Sequence, residues 1–470
     1  MNREQSINHN SLDQYQEFTI SDYLKQPYSC SCGRTHSAPI HTIIIEEGAL
    51  LRLPEVIAAA GCRKPFLLYD RTTYTIAGKQ VEDLLGRGSI YFSSYVLPEA
   101  EPVPDEEAIG TILIHLDPSC DLIIAVGSGT LNDLCRFISF KLNLPYIIAA
   151  TAPSMDGFAS GVSPLIVNHT KTTYEAHAPI AIIGDLNLLK DAPVTMIAAG
   201  IGDILGKYNA LCDWSIAELL LGEYHCSNIE GIVRKSLETV LKNIDGARSR
   251  DPHAVRGVME ALVLSGLAMS FAGNSRPASG SEHHLSHYWE MRFLSEGKKP
   301  YLHGTQVGVA TIAVLKAYEL LMELKIDFSA AREKASGYSE SKWEADMMKY
   351  YGPAAPSVIR LERETGKNAT DHVLARLELV ERHWKEIKAI TDLLPSADSI
   401  RNILISLSAP ASPEEVGIDR DTFIESFLAA KELRNRYALL QLLFDLGLLE
   451  ELAVKVWDYF QKNENNSMKL

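Results

Sequence analysis

No continuous apolar run in this 470-residue chain approaches the roughly 18 residues that a membrane-spanning helix needs, so membrane insertion is not expected. The first residues, MNREQSINHNSLDQYQEF, lack the apolar centre of a secretory signal, and the cytoplasm is the expected compartment. Positive charge is scarce: 45 Lys and Arg against 60 Asp and Glu leave a formal net charge of −15. That balance argues against nucleic acid or an anionic membrane as partner. There is no disulfide framework either, because the seven cysteines are odd in number and scattered, several of them inside apolar helical patterns. The segment Cys30-Ser-Cys32-Gly-Arg-Thr-His36 resembles half of a zinc knuckle. A structural zinc wants four ligands and no second Cys/His pair follows nearby, so the expectation is two small residues in an early strand or turn.

What is present is an ordinary globular composition, 46% hydrophobic and 22% charged, in a chain long enough for two domains. After a polar leader (1–17), β-branched runs at 42–45, 66–69, 89–95, 122–126 and 146–150 read as strands. Helical periods at 50–60, 76–85, 106–116 and 132–142 fall between them. This alternation predicts a parallel sheet covered on both faces. A hairpin and a last strand at 181–184 follow, and almost everything beyond Asp185 has helical period. We therefore expect an α/β nucleotide-binding domain over 1–184 and an all-α domain over 185–470, with a cleft between them.

Three loops of the first part carry chemistry. The strand ending at Val126 runs into Gly127-Ser-Gly129-Thr130-Leu131-Asn132-Asp133 and then a helix. A buried strand, a glycine turn and a helix N-terminus form an anion site for a pyrophosphate. The third glycine of G-x-G-x-x-G is missing, and Asn132 stands in its place. Asp70, closing the strand Phe66-Leu-Leu-Tyr, is placed to bond an adenosine ribose and repel a 2′-phosphate, or to cap the next helix. The hydroxyl-rich loop Thr151-Ala-Pro-Ser154-Met-Asp156-Gly-Phe-Ala-Ser160 follows an apolar strand, where ligand-lining loops occur in open α/β sheets.

The helical part carries three polar landmarks in apolar surroundings: Asp203 in AGIGDILGKYNALCDW, His283, His284 and His287 in SGSEHHLSHYWEM, and His303 in YLHGTQVGVAT. Asp203 is expected at a helix start, heading a helical run 204–221. His283 and His287 are i and i+4 and share a helix face, while His284 points about 100° away. A carboxylate with two or three imidazoles suits Zn, Ni or Fe better than Mg or Ca. With three protein ligands, a position stays open for a substrate oxygen, as a Lewis acid requires.

In this order, GSGTLND, TAPSMDGFAS, AGIGDILGKYNALCDW, SGSEHHLSHYWEM and LHGTQVGVAT resemble the metal-dependent polyol and alcohol dehydrogenase superfamily that includes 3-dehydroquinate synthase, and within it the glycerol-1-phosphate dehydrogenase branch in its bacterial form. The resemblance covers about residues 60 to 320. It implies a dehydroquinate synthase-like fold with a Rossmann-like nucleotide domain. Iron-dependent relatives carry a His ligand four residues after the Asp. Here that slot is Lys207, which implies the three-ligand branch. The resemblance makes Asp203, His283 and His303 the metal ligands, with a H-x-x-H reading through His284 and His287 as the competitor. It assigns NAD to Gly127, Gly129, Thr130, Leu131, Asn132, Asp133, Thr151, Ser154 and Ser160, with Asp70 discriminating against NADP. Asp156 and His287 become catalytic and substrate-contacting residues, with Asp203 close to the substrate as well. The implied reaction is NADH-dependent reduction of dihydroxyacetone phosphate to sn-glycerol 1-phosphate, with NADP as a second coenzyme and one Ni or Zn per chain. A glycerol or polyol dehydrogenase and a dehydroquinate synthase-like cyclase are the alternatives. Relatives imply a homodimer. Lys171, Lys207 and Arg276 are the candidate cations for a substrate phosphate, each more simply read as a solvated or helix-end charge.

Overall fold

The computed structural model describes residues 19–24, 27–167 and 170–467; the polar leader lies outside them. Ten strands are present among these residues. β1 (Tyr28–Ser29) and β2 (Thr35–His36) pair antiparallel. β3 (Thr42–Glu46), β4 (Pro65–Asp70), β5 (Ser93–Leu97), β6 (Leu122–Gly127), β7 (Tyr146–Ala150) and β10 (Ala181–Asp185) form one sheet in the order β3-β10-β7-β6-β4-β5. Every pairing in it is parallel. β8 (Val162–Val167) and β9 (Thr170–Glu175) are the expected hairpin.

The apolar runs explain the sheet. Every residue of β4, β6, β7 and β10 is buried, as strands covered on both faces must be. Leu50, Leu53, Ile57, Val81 and Leu85 join one core cluster with Leu67, Ile124, Ile147 and Ile183. The third strand differs from expectation. It begins at Ser93 rather than Ser89 and is only partly buried, because it forms the sheet edge beyond β4 and so lacks the burial pattern that defines its neighbours.

Strand order fixes where a ligand belongs. From β4 the chain moves outward to β5. It then returns to the other side of β4 as β6 and continues the opposite way through β7 and β10. The crevice at the carboxyl ends of β4 and β6 is therefore the topological switch point, the place where open α/β sheets bind ligands. Asp70 and Gly127 stand at those two strand ends.

The chain divides into two compact units. One holds residues up to Leu165, Thr173–Pro193 and Cys226–Pro277; the other holds Ile166–Thr172, Val194–His225 and Ala278–Leu470. A boundary at 184/185 divides the chain by type of secondary structure, whereas packing assigns the helices Ser227–Arg248 and Pro252–Ala272 to the sheet-bearing unit. Pro252–Ala272 and His303–Glu323 are long and apolar enough to span a membrane by length and composition, although charged residues such as Arg256 and Lys316 interrupt their apolar runs. Their apolar windows are 83% and 72% buried in the protein, as core helices are.

Candidate functional site

At the end of β6 the backbone takes the form of an anion cradle. The helix Gly129–Leu142 makes its first internal bond from the Asn132 N–H to the Ser128 carbonyl, at 3.0 Å. The N–H groups of Gly129, Thr130 and Leu131 therefore precede the helical ladder, at the positive end of the helix dipole. Gly127 is required by space, because a Cβ there would sit 2.4 Å from Leu131 Cδ1. Thr151 N–H donates to the Gly127 carbonyl at 3.0 Å, and the Ser128 and Ser154 hydroxyls are 2.6 Å apart. The glycine turn and the hydroxyl-rich loop are thus one bonded layer.

Several residues expected at the cofactor turn inward. Asn132 is fully buried and donates from Nδ2 to the Gly157 carbonyl at 3.3 Å. Asp133 pairs with Arg136 at 2.8 Å. That buried guanidinium also donates to Tyr146 Oη at 2.9 Å and the Val162 carbonyl at 2.9 Å. Leu131 is buried, whereas Ser128, Gly129 and Thr130 keep access to solvent. Ser160 Oγ accepts from the Val162 N–H at 3.2 Å, which is turn chemistry. Asp70 caps the helical turn after β4, its Oδ1 accepting from Thr73 N–H at 2.7 Å; burial pushes its carboxyl up. Asp156 Oδ2 accepts from Ser265 Oγ at 2.8 Å, which fixes the loop on the helix Pro252–Ala272. The same helix meets the loop at Gly266, where a Cβ would stand 2.9 Å from the Asp156 carbonyl oxygen.

The second cluster lies in the helical unit. Ligand atoms of Asp203, His283 and His303 fall within 4.8 Å of one another. Asp203 does not start a helix as expected. It lies near the end of the helix Val194–Leu205, and a new helix begins at Lys207 after a break at Gly206. Gly202 looks like a breaker in the sequence but serves a close helix crossing. A Cβ on Gly202 would stand 2.5 Å from the Gly304 carbonyl oxygen, and one on Gly304 would stand 2.0 Å from that of Ala199. This crossing brings Asp203 and His303, the neighbours of those glycines, together.

The spacing fits a metal ion. His283 Nε2 is 3.5 Å from Asp203 Oδ1, and ligands at about 2.0–2.2 Å from a tetrahedral ion stand about 3.3–3.6 Å apart. His283 Nδ1 donates to Glu282 Oε1 at 2.7 Å and His303 Nδ1 to Glu290 Oε1 at 3.3 Å. A carboxylate on Nδ1 orients an imidazole and leaves Nε2 to ligate. Sequence reasoning missed both carboxylates, although one adjoins His283 and the other stands three residues after His287. His287, Glu290 and His303 form an overlapping second cluster, while buried His284 belongs to neither.

Charge in this cluster is tightly balanced. Lys207, fully buried, donates to Asp203 Oδ1 at 2.8 Å and to the Ala278 carbonyl at 3.1 Å. Burial favours the neutral Asp203 carboxyl, but Lys207 and the two histidines outweigh it and hold the group well below the usual range. Burial likewise disfavours charge on His283, yet the bonds to Asp203 and Glu282 raise it to about 9. His287 is pushed well down by burial, Lys171, His303, His283 and Arg434, and so stays neutral. Glu290 is kept at about 2, Lys171 and His303 overcoming its burial. None of the three candidate phosphate cations is a solvated charge. Lys171 pairs with Glu290 at 2.5 Å, Lys207 pairs with Asp203, and Arg276 is buried. Arg434, whose charge acts on His287, had no signal in the sequence.

Known proteins share the family and the fold of this chain. Residues 44–193 match the model of the iron-containing alcohol dehydrogenase family. A glycerol-1-phosphate dehydrogenase (NAD(P)+) of Geobacillus stearothermophilus is 32% identical over 437 residues, covering 92% of this chain and 99% of the relative. One from Thermococcus sibiricus is 37% identical over 246 residues, covering 52% of this chain and 68% of the relative. Among solved structures, a probable glycerol dehydrogenase from Sinorhizobium meliloti shares the fold with a TM-score of 0.60 at 15% identity, over 90% of this chain and 98% of that one. The chain belongs to the glycerol-1-phosphate dehydrogenases, oxidoreductases with the iron-type alcohol dehydrogenase fold.

Proposed function

We propose that this protein reduces dihydroxyacetone phosphate to sn-glycerol 1-phosphate with NADH, accepting NADPH less well, and that one divalent ion, nickel or zinc, sits on Asp203, His283 and His303. The observation that carries the reading is the three-ligand cluster itself, two imidazoles and an ionised carboxylate within 4.8 Å, with an ammonium group where a fourth ligand would stand. When bound, the ion supplies Lewis acidity toward a carbonyl oxygen and the nicotinamide supplies hydride.

The chain's own residues do the rest. Lys207 keeps Asp203 ionised and cannot ligate while it holds its proton, so the set stays at three and leaves room for substrate. Glu282 and Glu290 fix the two rings in the orientation ligation needs. His287, neutral and on the same helix face as His283, is assigned to hydrogen-bond the substrate and to pass the proton that carbonyl reduction consumes. Asp156, held by Ser265, is assigned to a substrate hydroxyl. Arg434 is the cation we assign to the phosphate, because its charge acts on His287, the residue assigned to the substrate. The cradle at Ser128, Gly129 and Thr130 is assigned to the coenzyme pyrophosphate, with Asp70 near the adenosine ribose. The α/β part up to residue 184 would thus carry the coenzyme, and the helical remainder the metal and substrate. A homodimer is part of the same proposal.

The test is a comparison of initial rates of NADH oxidation. Dihydroxyacetone phosphate should exceed dihydroxyacetone in kcat/KM by the roughly 10–100-fold that a charge-assisted phosphate contact confers. Equal or better use of the unphosphorylated ketone would reassign the protein as a polyol dehydrogenase. NAD reduced and reoxidised within each turnover, with no net NADH oxidation, would mean cyclase chemistry.

A further inference from the structure

Away from the site described above, a second group of ligand-type side chains converges in the sheet-bearing unit: Cys30, Cys32, His36 and Cys226. The first three belong to the β1–β2 hairpin, and the fourth comes from 190 residues beyond His36. We propose that these four residues hold a structural zinc ion, distinct from the catalytic metal, which fastens the N-terminal hairpin to the helical layer.

The distances are those of a tetrahedral site. Cys30 Sγ and Cys226 Sγ are 3.6 Å apart. His36 Nε2 is 3.4 Å from Cys32 Sγ and 3.6 Å from Cys226 Sγ, and all four ligand atoms fit within 4.8 Å. Zinc bonds of about 2.3 Å to sulfur and about 2.0–2.1 Å to nitrogen place tetrahedral neighbours about 3.8 Å (S to S) and about 3.5 Å (S to N) apart. A disulfide would instead hold its sulfurs at about 2.05 Å.

The surroundings are those of zinc ligands. His36 Nδ1 is 3.0 Å from the Phe271 carbonyl. A carbonyl only accepts, so Nδ1 carries the proton and Nε2 presents a lone pair to the sulfurs. Asn228 Nδ2–H donates to Cys30 Sγ at 2.9 Å, a contact that suits a thiolate. Cys226 is the residue before the first turn of the 22-residue helix Ser227–Arg248, where the helix dipole favours negative sulfur. The hairpin has the form of a knuckle: Cys30 N–H donates to the Arg34 carbonyl and Gly33 N–H to the Cys30 carbonyl, each at 3.0 Å. Gly33 turns the chain at φ +83°. His36 and Cys226 are buried, and Cys30 and Cys32 half-buried. Four protein ligands leave no open position, so the role is structural rather than catalytic. On binding, the zinc ion displaces the three thiol protons, with no change of oxidation state.

Metal analysis of the full-length enzyme, purified under reducing conditions without chelator from zinc-replete cells, tests this. The expected result is two divalent ions per chain. One is removed by EDTA together with activity, and the other is zinc that leaves only on titration with a mercurial thiol reagent. Cys226→Ser should lose one equivalent, while Cys62→Ser, outside the cluster, should keep both. If Cys226→Ser does not fold, cobalt exchanged into the wild-type protein serves instead. Sulfur-to-cobalt charge-transfer bands with intense visible bands support the site. A single metal equivalent in the folded wild type, cobalt spectra without thiolate bands, or a Cys30–Cys226 disulfide in the mass spectrum would each overturn it.

Discussion

The proposed coenzyme cradle and the proposed metal cluster are built by opposite means. The cradle offers backbone: three N–H groups ahead of the helical ladder, a glycine where a Cβ would crowd Leu131, and hydroxyls at the rim. The longer side chains there, Asn132, Asp133 and Arg136, bond inward and brace the turn. In the metal cluster the backbone sets only the approach of two helices, and side chains make every contact expected of the ligand. The His283 and His303 rings are each held by a carboxylate of their own. A cradle built from backbone tolerates changed side chains if the turn survives. A cluster built from side chains loses its ligand with any one of them.

This contrast predicts a hierarchy of substitutions. Asp203→Asn removes the anionic ligand and leaves Lys207 buried without its carboxylate partner. The bound ion should be lost and kcat/KM should fall at least about a thousandfold, the scale of several kcal/mol of Lewis acid stabilisation. Metal content and NADH oxidation read this together, and a variant that kept both would break the contrast outright. Next, Glu290→Gln should weaken metal affinity by about 10–100-fold, seen as a higher metal concentration for half-maximal activity. Arg434→Met should raise KM for dihydroxyacetone phosphate by about 10–100-fold, the worth of a charge-assisted bond, while KM for NADH stays unchanged. The smallest functional effect belongs to the cradle. Asn132→Ala should cost about 1–3 kcal/mol of stability by leaving its buried partners unsatisfied, measured by denaturant unfolding, with KM for NADH nearly unchanged. A large rise in that KM would show that the cradle too binds through side chains.

The sequence made these two regions legible to different degrees. β3, β4, β6 and β7 are short β-branched runs with turn residues at their ends, so period and composition locate them to within a residue. The edge strand β5 was displaced because Ser89–Tyr95 alternates no more clearly than the true strand beside it. Asp203 was misplaced for a tertiary reason. Glycine lowers helix propensity locally, and only contact with Gly304, about a hundred residues away in the chain, shows that Gly202 belongs inside a helix. The inward turn of Asn132 was hidden likewise, because its partner Gly157 lies on another element, whereas Asp133 meets Arg136 as an i,i+3 pair on its own helix. Glu282 and Glu290 carried a readable signal, a carboxylate beside one histidine and at i+3 from another. Cys226 and Arg434 carried none, since each acquires meaning only from residues distant in the chain.

The central claim is that an ion on Asp203, His283 and His303 makes this protein a reductase of a phosphorylated ketone. The most direct measurement is NADH oxidation with dihydroxyacetone phosphate by native, EDTA-treated and nickel- or zinc-reconstituted enzyme, with the product resolved by chirality. One NADH should be consumed per sn-glycerol 1-phosphate formed, activity should vanish with the ion, and one equivalent should restore it. Undiminished turnover by enzyme shown to lack that ion would contradict the account.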